Sequence, residues 1–391
     1  MTPRKIVDDV FWMGAIDWNR RLFDSLIPLP HGTSYNSYLV KGSEKVALLD
    51  TVDPSTRHIL IQQLEDIPEV DFVISHHAEQ DHSGMLPEVL ERYPDSVLLC
   101  SKLAKDMLID HLHIPEERIT TVSDGEKIDL GGKTLQFIYT PWVHWPETMV
   151  SYLSEDQILF TCDFFGSHYA TSDLYADESQ VLEPAKRYFA EIMMPFRKSI
   201  QKNMEKIRPL KINMIAPSHG PIYRNPRFII DAYSDWVSDM PKNSVIIPFV
   251  SMHDSTRLMV DHLVSSLTER GVRVHPFDLV HADIGRIAVE LVDAATIVVG
   301  TPTFQTGIHP LALYAVYLVS LLRGRLRFAS VIGSYGWMSK GVEQVTSMLA
   351  PMKLEVIDPV ICRGKPREDD YKAIDALAEK ISERHNTLGV K

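Results

Sequence analysis

The chain has 391 residues, 45% of them hydrophobic and 24% charged, which suits about two or three domains with separate cores and excludes wholesale disorder. Its 40 Lys and Arg stand against 52 Asp and Glu, a formal charge of −12 that repels phosphate backbones and anionic lipid, so neither nucleic acid nor a membrane is expected as a partner. The longest apolar run, Leu311 to Leu322, stops at Arg323 well short of the roughly 18–20 residues a bilayer requires, and reads as a buried helix.

Near the N-terminus, Asp8 and Asp9 interrupt what would be the apolar stretch of a signal peptide. Cys100, Cys162 and Cys362 lie far apart and form no C-x-x-C, so a reducing cytoplasm is the expected setting. From there to residue 242, β-type runs (Val10 to Ala15, Ser37 to Val40, Val46 to Val52, Val70 to Ser75, Leu135 to Thr140, Ile158 to Cys162) are interleaved with helical patterns (Arg57 to Leu64, Leu86 to Tyr93, Lys102 to Leu112, Pro184 to Ile207). One mixed α/β domain over residues 1–242 is predicted. The polar stretch Ser238 to Ser244 reads as a linker. Beyond it, apolar strands at Val245 to Val250, Val272 to Pro276, Thr296 to Gly300, Phe328 to Gly333 and Leu354 to Val360 are each followed by a helix-period segment. This alternation predicts a five-stranded parallel sheet over residues 243–391 with helices on both faces, whose ligands sit at the carboxyl ends of the strands.

Directly after the run Asp71 to Ser75 comes His76-His77-Ala78-Glu79-Gln80-Asp81-His82, with His77, Glu79, Asp81 and His82 as candidate metal ligands on one loop. Imidazole and carboxylate without thiolate suit zinc, iron or manganese and argue against copper(I) and iron–sulfur. His144, Asp163 and His219 each follow a later strand and are candidates to complete the site. His76 is an alternative to His77 if the register shifts by one; it is otherwise expected to face away or to support the ligands.

In the C-terminal part, Ser251-Met252-His253-Asp254-Ser255-Thr256 leads from the first strand into a helical segment, where hydroxyls and backbone N–H groups at a helix start form a phosphate site. Neither G-K-[ST] nor G-x-G-x-x-G is present there. The ends of two further strands supply Pro302-Thr303-Phe304-Gln305-Thr306-Gly307 and Ser334-Tyr335-Gly336-Trp337, aromatic faces and backbone for a flat isoalloxazine. Because these loops share one edge of one sheet, FMN is the expected ligand.

The pattern H-x-H-x-D-H with later His, Asp and His resembles the metallo-β-lactamase fold, a four-layered αββα sandwich, and the C-terminal part resembles flavodoxin. Glu79 in place of the second histidine, together with the flavodoxin-like half, is similar to the flavodiiron proteins over nearly the whole chain. That resemblance implies two irons, with His77, Glu79 and His144 on one, Asp81, His82 and His219 on the other, and Asp163 bridging. Charge agrees: two ferrous ions bring four positive charges, and the three carboxylates with one hydroxide cancel them. The implied reaction is reduction of dioxygen to water, or alternatively of nitric oxide to nitrous oxide, in a head-to-tail homodimer or dimer of dimers fed by rubredoxin or a reduced deazaflavin. A binuclear zinc hydrolase and a pure FMN electron carrier are the remaining alternatives. Where family members carry a histidine near the N-terminus, this sequence reads Arg21-Leu22-Phe23-Asp24, so Asp24 is expected to stand near the gas-binding side.

Overall fold

The computed structural model describes residues 2–389 and divides into two compact units, Met1–Val237 and Ser238–Lys391. In the first unit, strands Arg4–Val7, Val10–Trp12, Tyr38–Lys41, Val46–Leu49, Phe72–Ser75, Val97–Cys100 and Ile119–Thr121 form one sheet in that spatial order. A second sheet runs Lys127–Asp129, Thr134–Tyr139, Met149–Leu153, Ile158–Cys162 and Met214–Pro217. Side-chain alternation explains how both faces of the first sheet are used. Ala47, Leu49, Ile74 and Leu99 join Phe137, Met149, Ile158 and Phe160 of the second sheet in one core. Their sequence neighbours Leu48, Val73, Leu98 and Cys100 point the other way, into a core shared with helices Arg57–Gln63, Leu86–Arg92 and Lys102–Leu112. On the far side, helix Arg197–Ile207 is tied to the second sheet by Asn203, which donates to Pro141 O at 2.9 Å, and Lys206, which donates to Tyr139 O at 2.6 Å. The αββα sandwich expected for the N-terminal part is what forms.

The second unit is a parallel sheet in the order Arg273–Asp278, Lys242–Phe249, Ala294–Phe304, Phe328–Tyr335 and a fifth position made of Glu355–Val356 and Val360–Arg363. Val245, Ile247, Phe249, Val298 and Ile332 pack against helices Ser255–Glu269 and Glu368–Thr387. A short antiparallel hairpin, Thr303 to Ile308, is added at the carboxyl end of the central strand. This is the expected five-stranded flavodoxin-like sheet.

Four local expectations are corrected. The segment Pro184 to Ile207 is not one helix: it runs as an α-helix Glu178–Tyr188, a π-turn Phe189–Met193, a 3₁₀ turn Met194–Phe196 and an α-helix Arg197–Ile207. Pro195 has no N–H to continue the ladder, and its ring crowds the carbonyl four residues back. The strand expected from Leu354 to Val360 is interrupted at Pro359 for the same want of a donor. Helix Pro310–Leu322 is buried along Ala312, Ala315, Val316 and Val319 only, while Leu313, Tyr314, Tyr317 and Leu321 are exposed. Finally, Ser238 to Ser244 is no free tether: Lys242 begins a strand, Arg325 donates to Ser238 Oγ at 2.7 Å, and Arg327 donates to Asp239 O at 2.6 Å.

Candidate metal centre and cofactor cleft

The strand ends of the sandwich bring seven predicted side chains to one place. His77 follows the Phe72–Ser75 strand, and Glu79 is the extended residue before the short helix Gln80–Ser83, which carries Asp81 and His82. The backbone of His82 is held by Thr51, whose N–H donates to His82 O at 2.8 Å and whose hydroxyl donates to the same oxygen. Asp163 follows the Ile158–Cys162 strand through a left-handed residue, Cys162, with φ of 49°. His219 sits on a loop pinned to the Thr33–Tyr35 strand, with Asn36 donating to Pro217 O and Gly220 O, both at 2.7 Å. Gly220 has φ of 80°, and a Cβ there would meet Ser167 Oγ at 2.0 Å, so only glycine fits after this histidine.

Donor atoms of His77, Glu79, His144 and Asp163 all lie within 4.8 Å of one another, and so do those of Asp81, His82 and His219. Asp163 faces both sets with different oxygens. Its Oδ2 is 3.5 Å from His77 Nε2 and 3.2 Å from His144 Nε2, while its Oδ1 is 2.9 Å from His82 Nε2 and 3.3 Å from His219 Nε2. Glu79 Oε2 approaches His77 and His144 at 3.0 and 3.1 Å, and Asp81 Oδ2 approaches His219 at 3.2 Å. All but His144 are buried; the side chains of His144 and Glu79, each 12% exposed, mark the open side.

Such a set of buried charges is costly unless it holds a cation. Both oxygens of Asp81, both ring nitrogens of His82 and Oδ1 of Asp163 lack a hydrogen-bond partner among the described residues, which is the state of groups shaped to bind an ion. The donors are nitrogen and oxygen in two adjacent groups sharing one carboxylate, so the residues fit two divalent metals. Burial alone would make the imidazoles less basic, but the close carboxylates of Asp163 and Glu79 lift His144 to about 9, and those of Asp163 and Asp81 lift His219 to about 10. Asp163 is held well below the usual carboxylate range because His82, His144 and His219 outweigh its burial.

Sequence reasoning missed five residues around the donors. Glu147, in the loop before the Met149–Leu153 strand, accepts from His77 Nδ1 at 2.6 Å. Cys162 brings its sulfur within 4.8 Å of donor atoms of His82 and Asp163, and burial pushes its thiol well up, so it stays protonated. On the far side of His219, the rings of Tyr35, Tyr188 and His168 pack at 5.7, 5.7 and 4.9 Å, and burial beside His219 keeps His168 neutral. His76 turns away: its Nδ1 donates to Asp50 Oδ2 at 2.7 Å and its Nε2 meets Ser151 Oγ at 2.7 Å. Asp24 is exposed, and its carboxyl is raised by partial burial and by the charges of Glu79 and Asp81.

In the second unit a cleft of about 470 Å³ opens at the carboxyl ends of the sheet, lined by Met252, His253, Ser255, Thr256, Pro302, Thr303, Phe304, Gln305, Ser334, Tyr335, Gly336 and Trp337 from the predicted loops, and by Gly364, which was not predicted. Ser251, Asp254, Thr306 and Gly307 fall outside the lining. Ser251 Oγ accepts from Arg257 N at 3.2 Å, Asp254 is exposed at φ of 60°, Thr306 O accepts from Lys340 N, and Gly307 packs on Gln344. The Thr256 hydroxyl is buried at the start of helix Ser255–Glu269 without a partner among the described residues. An orphan donor at a helix N-terminus fits a phosphate. Phe304 and Trp337 are 45% and 73% exposed, aromatic faces available to a planar ring.

A β-lactamase-like sandwich carrying a two-metal donor set, followed by a flavodoxin-like sheet with its cleft, defines an oxidoreductase of the flavodiiron class. The comparisons place the chain in that family. A family profile described as ODP family beta lactamase matches residues 33–220. The nitric oxide reductase of Moorella thermoacetica is 34% identical over 395 residues, covering 98% of each chain. The anaerobic nitric oxide reductase flavorubredoxin of Escherichia coli K12 is 32% identical, with 94% of this chain and 79% of that one aligned. Among solved structures, rubredoxin oxygen:oxidoreductase from the anaerobe Desulfovibrio gigas superposes over 100% of both chains with a TM-score of 0.96 at 28% identity. The flavodiiron protein of Giardia intestinalis gives 0.91 at 25% identity, over 99% of this chain and 97% of that one.

Proposed function

We propose that the chain holds two irons in its first unit and FMN in its second, and reduces nitric oxide to nitrous oxide with electrons from a separate rubredoxin-type donor. The observation that carries this is Asp163, whose two oxygens divide between two N/O donor sets. When bound, the irons supply open coordination positions and one-electron steps, and the flavin supplies electrons singly or in pairs. His77, Glu79 and His144 are assigned to one iron, Asp81, His82 and His219 to the other, and Asp163 to both. The rings are pre-set for this role. His77 donates its Nδ1–H to Glu147 and His219 donates its Nδ1–H to Ser34 O at 2.7 Å, so each turns its Nε2 toward the site as the atom a metal would take once the proton there is displaced. Burial keeps bulk water away from all but the His144 side. In the second unit Ser255 and Thr256 are assigned to the FMN phosphate, and Phe304, Tyr335 and Trp337 to its ring.

The overall change, two nitric oxide molecules with two electrons and two protons giving nitrous oxide and water, rests on the names of the two curated relatives. Dioxygen with four electrons and four protons giving two waters is the second reading, favoured by the likeness to the Desulfovibrio protein. Either reaction is assigned to a head-to-tail homodimer in the cytoplasm, in line with the family resemblance. The test is anaerobic. Iron, zinc and FMN are counted per chain; the protein is then reduced and mixed separately with each gas, and the return of the oxidised flavin spectrum is timed. Two irons, one FMN and faster reoxidation by nitric oxide are expected. Faster reoxidation by dioxygen selects the second reading, and two zincs with slow reoxidation by both gases overturns the proposal.

A further inference from the structure

The two donor sets are alike in what faces the ions and unlike in what stands behind. Each has one carboxylate of its own, Glu79 or Asp81, and each shares Asp163. Behind them the symmetry ends. The Nδ1 of His77 donates at 2.6 Å to Oε1 of Glu147, a carboxylate with no solvent exposure, and the same oxygen accepts from Ala78 N at 3.0 Å. The Nδ1 of His219 donates instead to the neutral carbonyl of Ser34, and the Nδ1 of His82 has no hydrogen-bond partner among the described residues. Among the described residues, a full negative charge therefore backs an imidazole of the first set and neither imidazole of the second. An anion on the far nitrogen makes the near one a stronger donor to a cation and fixes the plane of the ring. Glu147 is itself located: Ser101 Oγ donates to its backbone oxygen at 2.6 Å, which ties the loop to the start of helix Lys102–Leu112.

We propose that Glu147 is a positioning residue that makes the two metal positions unequal, so that the position facing His77, Glu79 and His144 takes up iron first and holds it more tightly than the position facing Asp81, His82 and His219. This rests on the assignment of two irons above.

The substitution Glu147→Gln separates charge from geometry. Both hydrogen bonds end on one oxygen, Oε1, which an amide oxygen replaces as an acceptor, so the ring keeps its plane and loses only the charge behind it. Glu147→Leu removes the acceptor as well. Metal-free, FMN-loaded full chain is titrated with ferrous ion under argon, and the first equivalent is followed with ⁵⁷Fe by Mössbauer spectroscopy. The wild type should bind in two unequal steps, the first giving a single iron signature. Glu147→Gln should narrow the gap between the steps and mix the signatures at one equivalent. Glu147→Leu should weaken the tighter step by about tenfold to a hundredfold and leave the looser one in place. Two irons bound with steps and signatures unchanged in both variants, or a change confined to the looser step, overturns this proposal while leaving the two-iron assignment standing. A wild-type chain that binds no iron overturns both.

Discussion

At the residue scale, Asp163 carries the most consequence. Replacing it with Asn leaves one neutral oxygen to serve one set and turns an amide toward the other. Iron content should fall well below two per chain while the flavin absorbance is unchanged, as should also follow from His144→Asn; iron analysis beside the visible spectrum checks both. The histidines set a second expectation. In the metal-free protein His144 and His219 lose their protons only near 9 and 10, so at pH 7 an entering ion must displace them. Ferrous affinity should therefore climb from pH 7 toward 10, with protons released to a weakly buffered indicator. The sign reverses for stability. Those protonated imidazoles stabilise the metal-free fold fully below their ordinary value of 6.5 and lose that contribution as pH rises through 9 to 10, so its unfolding midpoint should drop over that span. His77, Glu79, Asp81 and His82 were legible because four ligand-type side chains crowd one loop. Glu147 was not, because a lone glutamate after Trp145-Pro146 has no spacing rule; only folding shows that it meets an imidazole seventy positions away.

At the element scale, strands and helices were legible where one residue pattern dominated. Helix Lys102–Leu112 has the bounds its apolar period gave, and the first four strands of the flavodoxin-like sheet in chain order fall on their apolar runs. The Met149–Leu153 strand went unread although all five residues are buried, because its Ser151 and Tyr152 break the apolar run. Helix Pro310–Leu322 misled by composition: its Leu and Tyr residues look like a core, yet small Ala312 and Ala315 with Val316 and Val319 make the contact. Leu313→Ser should thus move the unfolding free energy by no more than about 0.5 kcal/mol. Leu263→Ala, within the opposite core, should cost about 2–5 kcal/mol, and chemical denaturation compares the two. For the helix Ser255–Glu269, Thr256→Ala removes the orphan hydroxyl from the phosphate site. A lost hydrogen bond to a charged group is worth about 1.5–3 kcal/mol, so FMN affinity should fall roughly tenfold to a hundredfold, read by flavin fluorescence after desalting.

At the scale of the whole molecule, two units with separate cores are assigned separate ligands, and mass action stabilises only the unit that binds. Stripping iron should lower the unfolding transition of the sandwich and leave the temperature of flavin release in place; stripping FMN should do the reverse. Calorimetry with flavin fluorescence as the second channel distinguishes them. The parallel sheet of the second unit was legible from strand–helix alternation and the layering of the first from the family resemblance, whereas the spatial order of the strands in either sheet was not read from the sequence.

One carboxylate serving both sets has a consequence for what the centre can accept. The two oxygens that would hold the two metals belong to a single side chain, seated at the buried end of the inner strand Ile158–Cys162. Heat, pH and substitutions elsewhere can tilt that side chain but cannot stretch it. On the two-metal assignment, the pair of ions such a centre would accept is selected by a distance between two oxygens that chemical bonds fix and packing cannot change.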